Sequence, residues 1–282
     1  MSDNEKLSAT ARLHYFKAKI HFFCQYFVPL QANSLRVMRK IILYISLFLP
    51  VFTFAQDFYE HCEDTCNHVH GIDLSHYQGE VFWDAIGNNT KMAYVYLKAT
   101  EGGDRIDHRY ERNIELAHNH GLKVGSYHFY RPKTEQARQL ENFLKQCRPE
   151  EQDLIPMIDI ESAGGLCTED FCDSLFSFLH LVEEAYGQKP LLYTYTNFYN
   201  KFLCGKLGDY QLMIAQYTDR MPVLYDDKEF IMWQYTCKGL IDGVGGYIDK
   251  SRFVGAHGLR EIRYRKNFRK STKDEETPSD NN

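Results

Sequence analysis

From Gly71 onward, short β-rich runs alternate with helical patterns, and this alternation restricts the chain more than any other feature. A strand followed by a helix and another strand needs a crossover, so the pattern demands parallel strands with helices packed outside them. The strand candidates are GIDLSHY (71–77), MAYVYLKAT (92–100), KVGSYHFY (123–130), LIPMIDIES (154–162), PLLYTYT (190–196), QLMIAQYT (211–218), EFIMWQYT (229–236) and GGYIDKS (245–251). Helical patterns fall between the first five. One covers 109–120 and is closed by Gly121. A second covers 134–147 with Thr134 as its cap. In a third, 168–186, Phe171, Leu175, Phe178, Leu179 and Val182 recur at helical spacing behind Thr168 and Asp170. Helices are regular early and missing late, which predicts an α/β barrel whose last third is a run of strands.

The amino terminus reads differently. Arg39 and Lys40 precede the apolar run IILYISLFLPVFTFA, and Thr53-Phe54-Ala55 supplies a small-residue cleavage site. That is the layout of a secretory signal peptide cut after Ala55, with Met38 as the expected start. The run is short of the about 20 apolar residues of a membrane span, and Pro50 interrupts it. An N-terminal membrane anchor is the competing reading. Residues 1–55, an extension plus signal peptide, are therefore set apart from the fold, and 56–69 read as a linker. The barrel is expected over 70–258, and 259–282 as a disordered charged tail. Residues 1–55 hold seven Lys/Arg and two acids, so a chain of net charge −5 leaves −10 on the rest. An acidic body repels phosphate backbones, which argues against nucleic acid.

Seven cysteines follow Ala55: Cys62, Cys66, Cys147, Cys167, Cys172, Cys204 and Cys237. In an oxidising compartment an odd count leaves at least one thiol unpaired. Cys62/Cys66 and Cys167/Cys172 are close enough in sequence to pair locally. Cys62, Cys66, His68 and His70 also resemble a metal site, but their spacing matches no standard zinc pattern.

Acids inside apolar strands carry the chemistry, because a buried carboxylate is costly without a partner or a role. In Met157-Ile158-Asp159-Ile160-Glu161, strand alternation aims Asp159 and Glu161 at one space at the carboxyl end of the strand. In barrels of parallel strands that end holds the active site. Mutual repulsion leaves one acid protonated and one charged, the division of labour that glycosidic cleavage needs. Asp73, Glu101 and Asp249 end other strand candidates. A metal cluster is the competing use of such carboxylates, but no His accompanies them at ligand-like spacing.

GIDLSHYQG (71–79), YLKATEG (96–102), GSYHFYRP (125–132), PMIDIES (156–162) and WQY (233–235) together resemble glycoside hydrolase family 25, the Chalaropsis-type lysozymes. The resemblance spans roughly 70–254 with the motifs in family order. It implies an irregular TIM-like (β/α)5β3 barrel and N-acetylmuramidase activity on the β-1,4 bond between N-acetylmuramic acid and N-acetylglucosamine of peptidoglycan. By position, Glu161 is similar to the family's general acid, and Asp159 to the carboxylate that steadies the cationic sugar. Asp73 and Asp249 resemble the two supporting acids. Ser251 stands where Asn is most frequent, a departure that touches the assignment of Asp249. Glu101 reads as a wall residue; Tyr127, Tyr195, Gln234 and Tyr235 read as groove residues. Trp233 reads as core, and His76 and His128 as supporting hydrogen-bond groups.

No cofactor or metal is expected, nor a stable membrane association after signal cleavage; a secreted or periplasmic monomer acting on peptidoglycan is. Two other readings stand beside this one. A glycan-binding barrel without activity gives no reason to keep four acids together, and a lytic transglycosylase needs only one.

Overall fold

The computed structural model describes residues 70–265. Strands β1 (His70–Leu74), β2 (Met92–Glu101), β4 (Lys123–Phe129), β5 (Met157–Asp159), β6 (Leu191–Tyr195), β7 (Leu212–Ala215) and β8 (Met232–Gly239) run parallel in that spatial order. β9 (Ile248–Phe253) is antiparallel to both β8 and β1 and closes the barrel. A short β3 (Arg105–Ile106) hangs on the end of β2. Five strands are each followed by helical structure: α1 (Trp83–Gly87), α2 (Tyr110–Asn119), α3 (Gln136–Gln146), α4 (Thr168–Tyr186) and α5 (Thr196–Phe198). A π-helical turn, Tyr199–Leu203, extends α5. Among the described residues the last three strands are followed by no helix, so the expected (β/α)5β3 barrel is the observed architecture.

Period-two alternation sorts the strand residues into two apolar layers. Ile72, Leu74, Val95, Leu97, Ile158, Leu192 and Ile214 point outward into a core shared with Phe143, Phe171, Phe178 and Leu179 of the helices. Tyr94, Tyr96, Met157, Leu191, Tyr193, Met213 and Phe253 fill the interior. Two glycines make room for the interior tyrosines. A Cβ on Gly71 would lie 1.8 Å from Tyr94 Cε2, and one on Gly125 would lie 2.4 Å from Tyr96 Cε1. Each tyrosine hydroxyl is satisfied across the barrel, Tyr94 with Ser251 Oγ at 3.1 Å and Tyr96 donating to Ile155 O at 3.2 Å.

Several boundaries differ from the sequence reading. β1 stops at Leu74, where Ser75 caps a 3-10 turn, His76–Gln78, in a capping box with Gln78. α3 is capped by Glu135 rather than Thr134, because the Glu135 carboxylate accepts from the N–H groups of both Ala137 and Arg138. β5 is much shorter than 154–162: Ile160 N–H still donates to Tyr193 O, and Glu161 then leaves the sheet toward Gly164 and Gly165, both at positive φ. Residues 259–265 belong to the barrel rather than to a disordered tail. Ile262 is fully buried, Ile155 N–H donates to Ile262 O at 2.7 Å, and the Tyr264 hydroxyl donates to Tyr186 O at 2.9 Å. Residues 266–282 lie outside the described residues.

The local Cys167/Cys172 pair does not form. Five residues apart on a helix, their side chains diverge by about 140°. Cys167 Sγ accepts the N-cap bond from Asp170 N–H, while Cys172 Sγ donates to Phe202 O. Cys147, Cys167, Cys172, Cys204 and Cys237 are all free thiols. Cys62, Cys66 and His68 lie outside the described residues, as do the extension, the signal sequence and nearly all of the linker. His70 of the suggested metal set lies in β1, with Nδ1 at 3.0 Å from the Tyr235 hydroxyl.

Candidate active site

The carboxyl ends of the parallel strands bring Asp73, Asp159, Glu161 and Tyr127 into one electrostatic neighbourhood with Asp249. Asp249 arrives there by a different route from the others. It begins its strand instead of ending it, and because β9 is antiparallel, its amino end reaches the mouth where parallel strands end. Asp249 stands directly opposite Asp73 in the β1–β9 ladder, and opposed residues share a face of the sheet.

The four acids are held away from full ionisation. Burial raises the Asp73 carboxyl to about 8, against a lowering hydrogen bond from Gln234 and with added repulsion from Asp249. Burial and then Glu161 raise Asp249 to about 6. Asp159 is raised by burial first and by the Glu161 charge second. Glu161 is raised by burial, with the Tyr195 hydroxyl and the Lys98 and Arg131 charges opposing. Asp159 and Glu161 compete for a single charge, so the pair keeps a proton above the ordinary carboxylate range.

Hydrogen bonds aim the site. Gln234 Nε2 donates to Asp73 Oδ2 at 2.8 Å, while its Oε1 accepts from the hydroxyls of Tyr193 and Tyr217, each at 2.8 Å. The Tyr217 hydroxyl oxygen also lies 3.5 Å from that of Tyr195. Asp73 Oδ1 and Asp159 Oδ1 are buried without a hydrogen-bond partner, a costly condition for a carboxylate outside a functional site.

Glu101 forms the wall. Lys98 Nζ donates to it at 2.8 Å, Arg105 Nη1 at 2.5 Å and Arg131 Nη2 at 2.6 Å. Burial alone would raise its carboxyl, but the bonds from Lys98 and Arg131 outweigh that and hold it at about 2. It is a fixed anion and no proton donor at neutral pH.

Tyr235 is not part of this assembly. Gln234 points inward, and Tyr235 is the extra residue of a bulge in the β8–β9 ladder, between the pairs Gln234–Ser251 and Thr236–Lys250. Tyr235 stacks edge-on with Trp233, under the Arg252 guanidinium and against His70, on the helix side of the sheet. Trp233 is buried core as expected. His128 is buried on the same outer side, bonded to Thr100 Oγ1 at 2.8 Å between Phe143 and Phe178. His76 supports its loop through Asp107, with Nδ1 at 2.7 Å from Oδ2.

A family model described as Glycosyl hydrolases family 25 matches residues 72–244. The chain belongs to this family. Among its relatives, the uncharacterized protein YegX of Escherichia coli strain K12 is 30% identical over 191 residues, covering 66% of this chain and 70% of YegX. The autolytic lysozyme of Clostridium acetobutylicum is 31% identical over 184 residues, 65% of this chain and 55% of that protein. The crystal structure of the bacterial lysozyme from Streptomyces coelicolor superposes with a TM-score of 0.63 at 27% identity, covering 69% of this chain and 95% of that one. A family 25 glycosyl hydrolase from Bacillus anthracis gives 0.61 at 28% identity, covering 66% and 89%.

In this family 25 glycoside hydrolase the geometry also brings Lys98 and Arg131 onto Glu101 and Tyr217 onto Gln234, three residues that the sequence reading did not single out. Lys98 was legible, since a cation inside the apolar strand YLKATEG requires a partner. Arg131 and Tyr217 lie in loops after β4 and β7, where no periodicity marks a direction.

Proposed function

We propose that this family 25 hydrolase is a peptidoglycan hydrolase, an N-acetylmuramidase cleaving the β-1,4 bond after N-acetylmuramic acid. Glu161 protonates the departing glycosidic oxygen. Asp159 steadies the positive charge that develops at the ring, or the substrate's N-acetyl group as it attacks. Asp73 and Asp249 bind and orient around them, with Gln234 holding Asp73 in place. The observation that carries the reading is the set of buried acids at one mouth, two of them with an unpartnered oxygen. A merely structural cluster would satisfy its carboxylates internally. Tyr127, Tyr195 and Tyr217 supply faces and hydroxyls for sugar rings.

The test is digestion of purified peptidoglycan followed by mass spectrometry of the soluble fragments. Reducing N-acetylmuramic acid ends are expected. Anhydro-sugar ends would make the protein a transglycosylase, and binding without release would make it a glycan-binding barrel. Export rests on the sequence of residues 38–55 alone. N-terminal sequencing of the exported protein should read Gln56-Asp57-Phe58, and recovery of an uncut chain in the membrane fraction would replace secretion with anchoring.

A further inference from the structure

Beside the carboxylate mouth lies a cavity of about 320 Å³ bounded by Glu101, Arg105, Arg131, Lys133, Ser162 and Gly164. It adjoins the site along the chain, since Ser162 follows Glu161, and Lys98 bonds Glu101 while its charge acts on Asp159 and Glu161. Its charge is opposite to that of the mouth. Its lining carries Arg105, Arg131 and Lys133 against Glu101 and Asp104, so one positive charge is left over, and Asp104 is itself paired with Arg138 outside the lining at 3.4 Å.

The cavity is built, not incidental. The Arg131 guanidinium lies 4.4 Å from the centre of the Phe129 ring and donates to Glu101 through both Nε and Nη2, which fixes its plane. Lys133 reaches across the glycine turn, its Cγ 3.6 Å from a Cβ position on Gly164 and its Nζ 3.9 Å from one on Gly165. Arg105 and Lys133 keep their heads in solvent, where they can meet a ligand.

We propose that this cavity binds a carboxylate of the peptide stem carried by the muramyl sugar, making the stem part of what the enzyme recognises. The inference rests on the peptidoglycan reading above. In that polymer the muramyl sugar bears, through its lactyl ether, a peptide ending in free carboxylates. A sugar seated over Asp159 and Glu161 directs that substituent to a neighbouring pocket, and this is the cationic one. Guanidinium forks match carboxylate geometry. The acidic mouth repels the same group, so the two regions set the direction in which the strand lies.

The test compares kcat/KM on glycan strands with intact stems against strands stripped of stems by an amidase, for the unaltered protein and for Arg105→Gln/Lys133→Gln. Each exposed charge contact contributes up to about 1 kcal/mol, so the stem-bearing to stem-free ratio should fall about tenfold, through KM, in the double variant. Added salt should compress the difference. Lys133→Arg should keep it. Equal proportional losses on both substrates would overturn the proposal, as would a loss that follows wall phosphodiester polymer and not the stem. A second measurement, retention of each protein on the two kinds of strand, reads the pocket without hydrolysis. If the unaltered protein cleaves neither substrate, the muramidase reading fails. Retention that prefers stems and loses that preference in the double variant would still uphold the pocket, and retention blind to stems would overturn it.

Discussion

Glu161 and Asp159 are adjacent in function but separable by experiment. Removing the proton donor as Glu161→Gln should lower the rate on peptidoglycan by about 10²–10⁴-fold. A substrate with an activated leaving group needs little protonation and should be much less affected. Asp159→Asn removes charge stabilisation, and a better leaving group should not rescue it. Steady-state kinetics on both substrates checks the pair, and equal rescue of the two variants would reverse or void the roles. Asp73 offers a different readout. Its carboxyl is raised to about 8 by burial, so at pH 7 the fold bears the cost of keeping it protonated or charged out of water. Asp73→Asn keeps a donor and an acceptor for Gln234 and removes that cost. Thermal unfolding at pH 7.5 should therefore show a higher Tm for Asp73→Asn, by a few degrees at about 2–4 °C per kcal/mol, together with lost activity. The gain should shrink as pH falls and vanish below about pH 3, where the wild-type acid is protonated in both states.

At the level of elements, the barrel depends on paired small and large residues across neighbouring strands. Gly71 on β1 faces the Tyr94 ring on β2, and the Cβ of an alanine would lie 1.8 Å from a ring carbon. Both strands are pinned by ladders on either side, so neither can retreat. Gly71→Ala should cost about 3 kcal/mol, at the upper end of overpacking penalties, and chemical denaturation should show it as a lower midpoint. Trimming the ring in a Tyr94→Leu background should recover part of the loss. Strand and helix identities were legible from their periods: β2, β4, β6 and α4 fall where alternation and helical spacing place them. Caps and ends were not. Thr134 and Glu135 are both capable caps, and Glu135 wins because its longer carboxylate reaches two N–H groups. The early end of β5 comes from its neighbours, as β4 ends at Phe129 and offers no further partner beyond Asp159.

For the whole molecule, the acids make stability depend on pH with a predictable sign. Asp73 and Asp249 have folded values raised to about 8 and about 6 above their unfolded 3.8. The folded state therefore holds more protons than the unfolded state between those values, and stability falls as pH rises from about 4 to about 8. Glu101 works the other way: its carboxyl sits at about 2 against an unfolded 4.5, so its contribution is lost only as pH falls below about 4.5. Tm measured across pH should peak near pH 4–5 and decline toward pH 8. A rise in Tm from pH 5 to pH 8 would contradict the protonation of the cluster. The bottom of the barrel makes a second molecular prediction. Cutting the chain after Gly258 removes the buried Ile262 together with its backbone bond to Ile155 and the Tyr264–Tyr186 bond. Loss of a buried Ile alone is worth about 2–5 kcal/mol, so the truncated chain should unfold at clearly lower denaturant than the full chain.

Sequence alone determined what is local and periodic. The alternation of strands and helices led to the barrel, and acids embedded in apolar runs led to Asp73, Asp159, Glu161 and Glu101, because a charge within a buried strand has few explanations. Tertiary structure decided what depends on closure. Asp249 faces Asp73 only because β9 runs backward against β1, and strand direction is not written in a run of six residues. Gln234 enters the site while Tyr235 leaves it, since β8 bulges against β9 just after Gln234 and only the pairing of the two strands sets where the extra residue turns. The three cations around Glu101 come from β2, β3 and the loop after β4, and only the folded chain brings them within 3 Å of one carboxylate. The proton kept by the acids has the same origin. An isolated Asp73 ionises below pH 4, and the closed barrel around it removes the water that made ionisation easy.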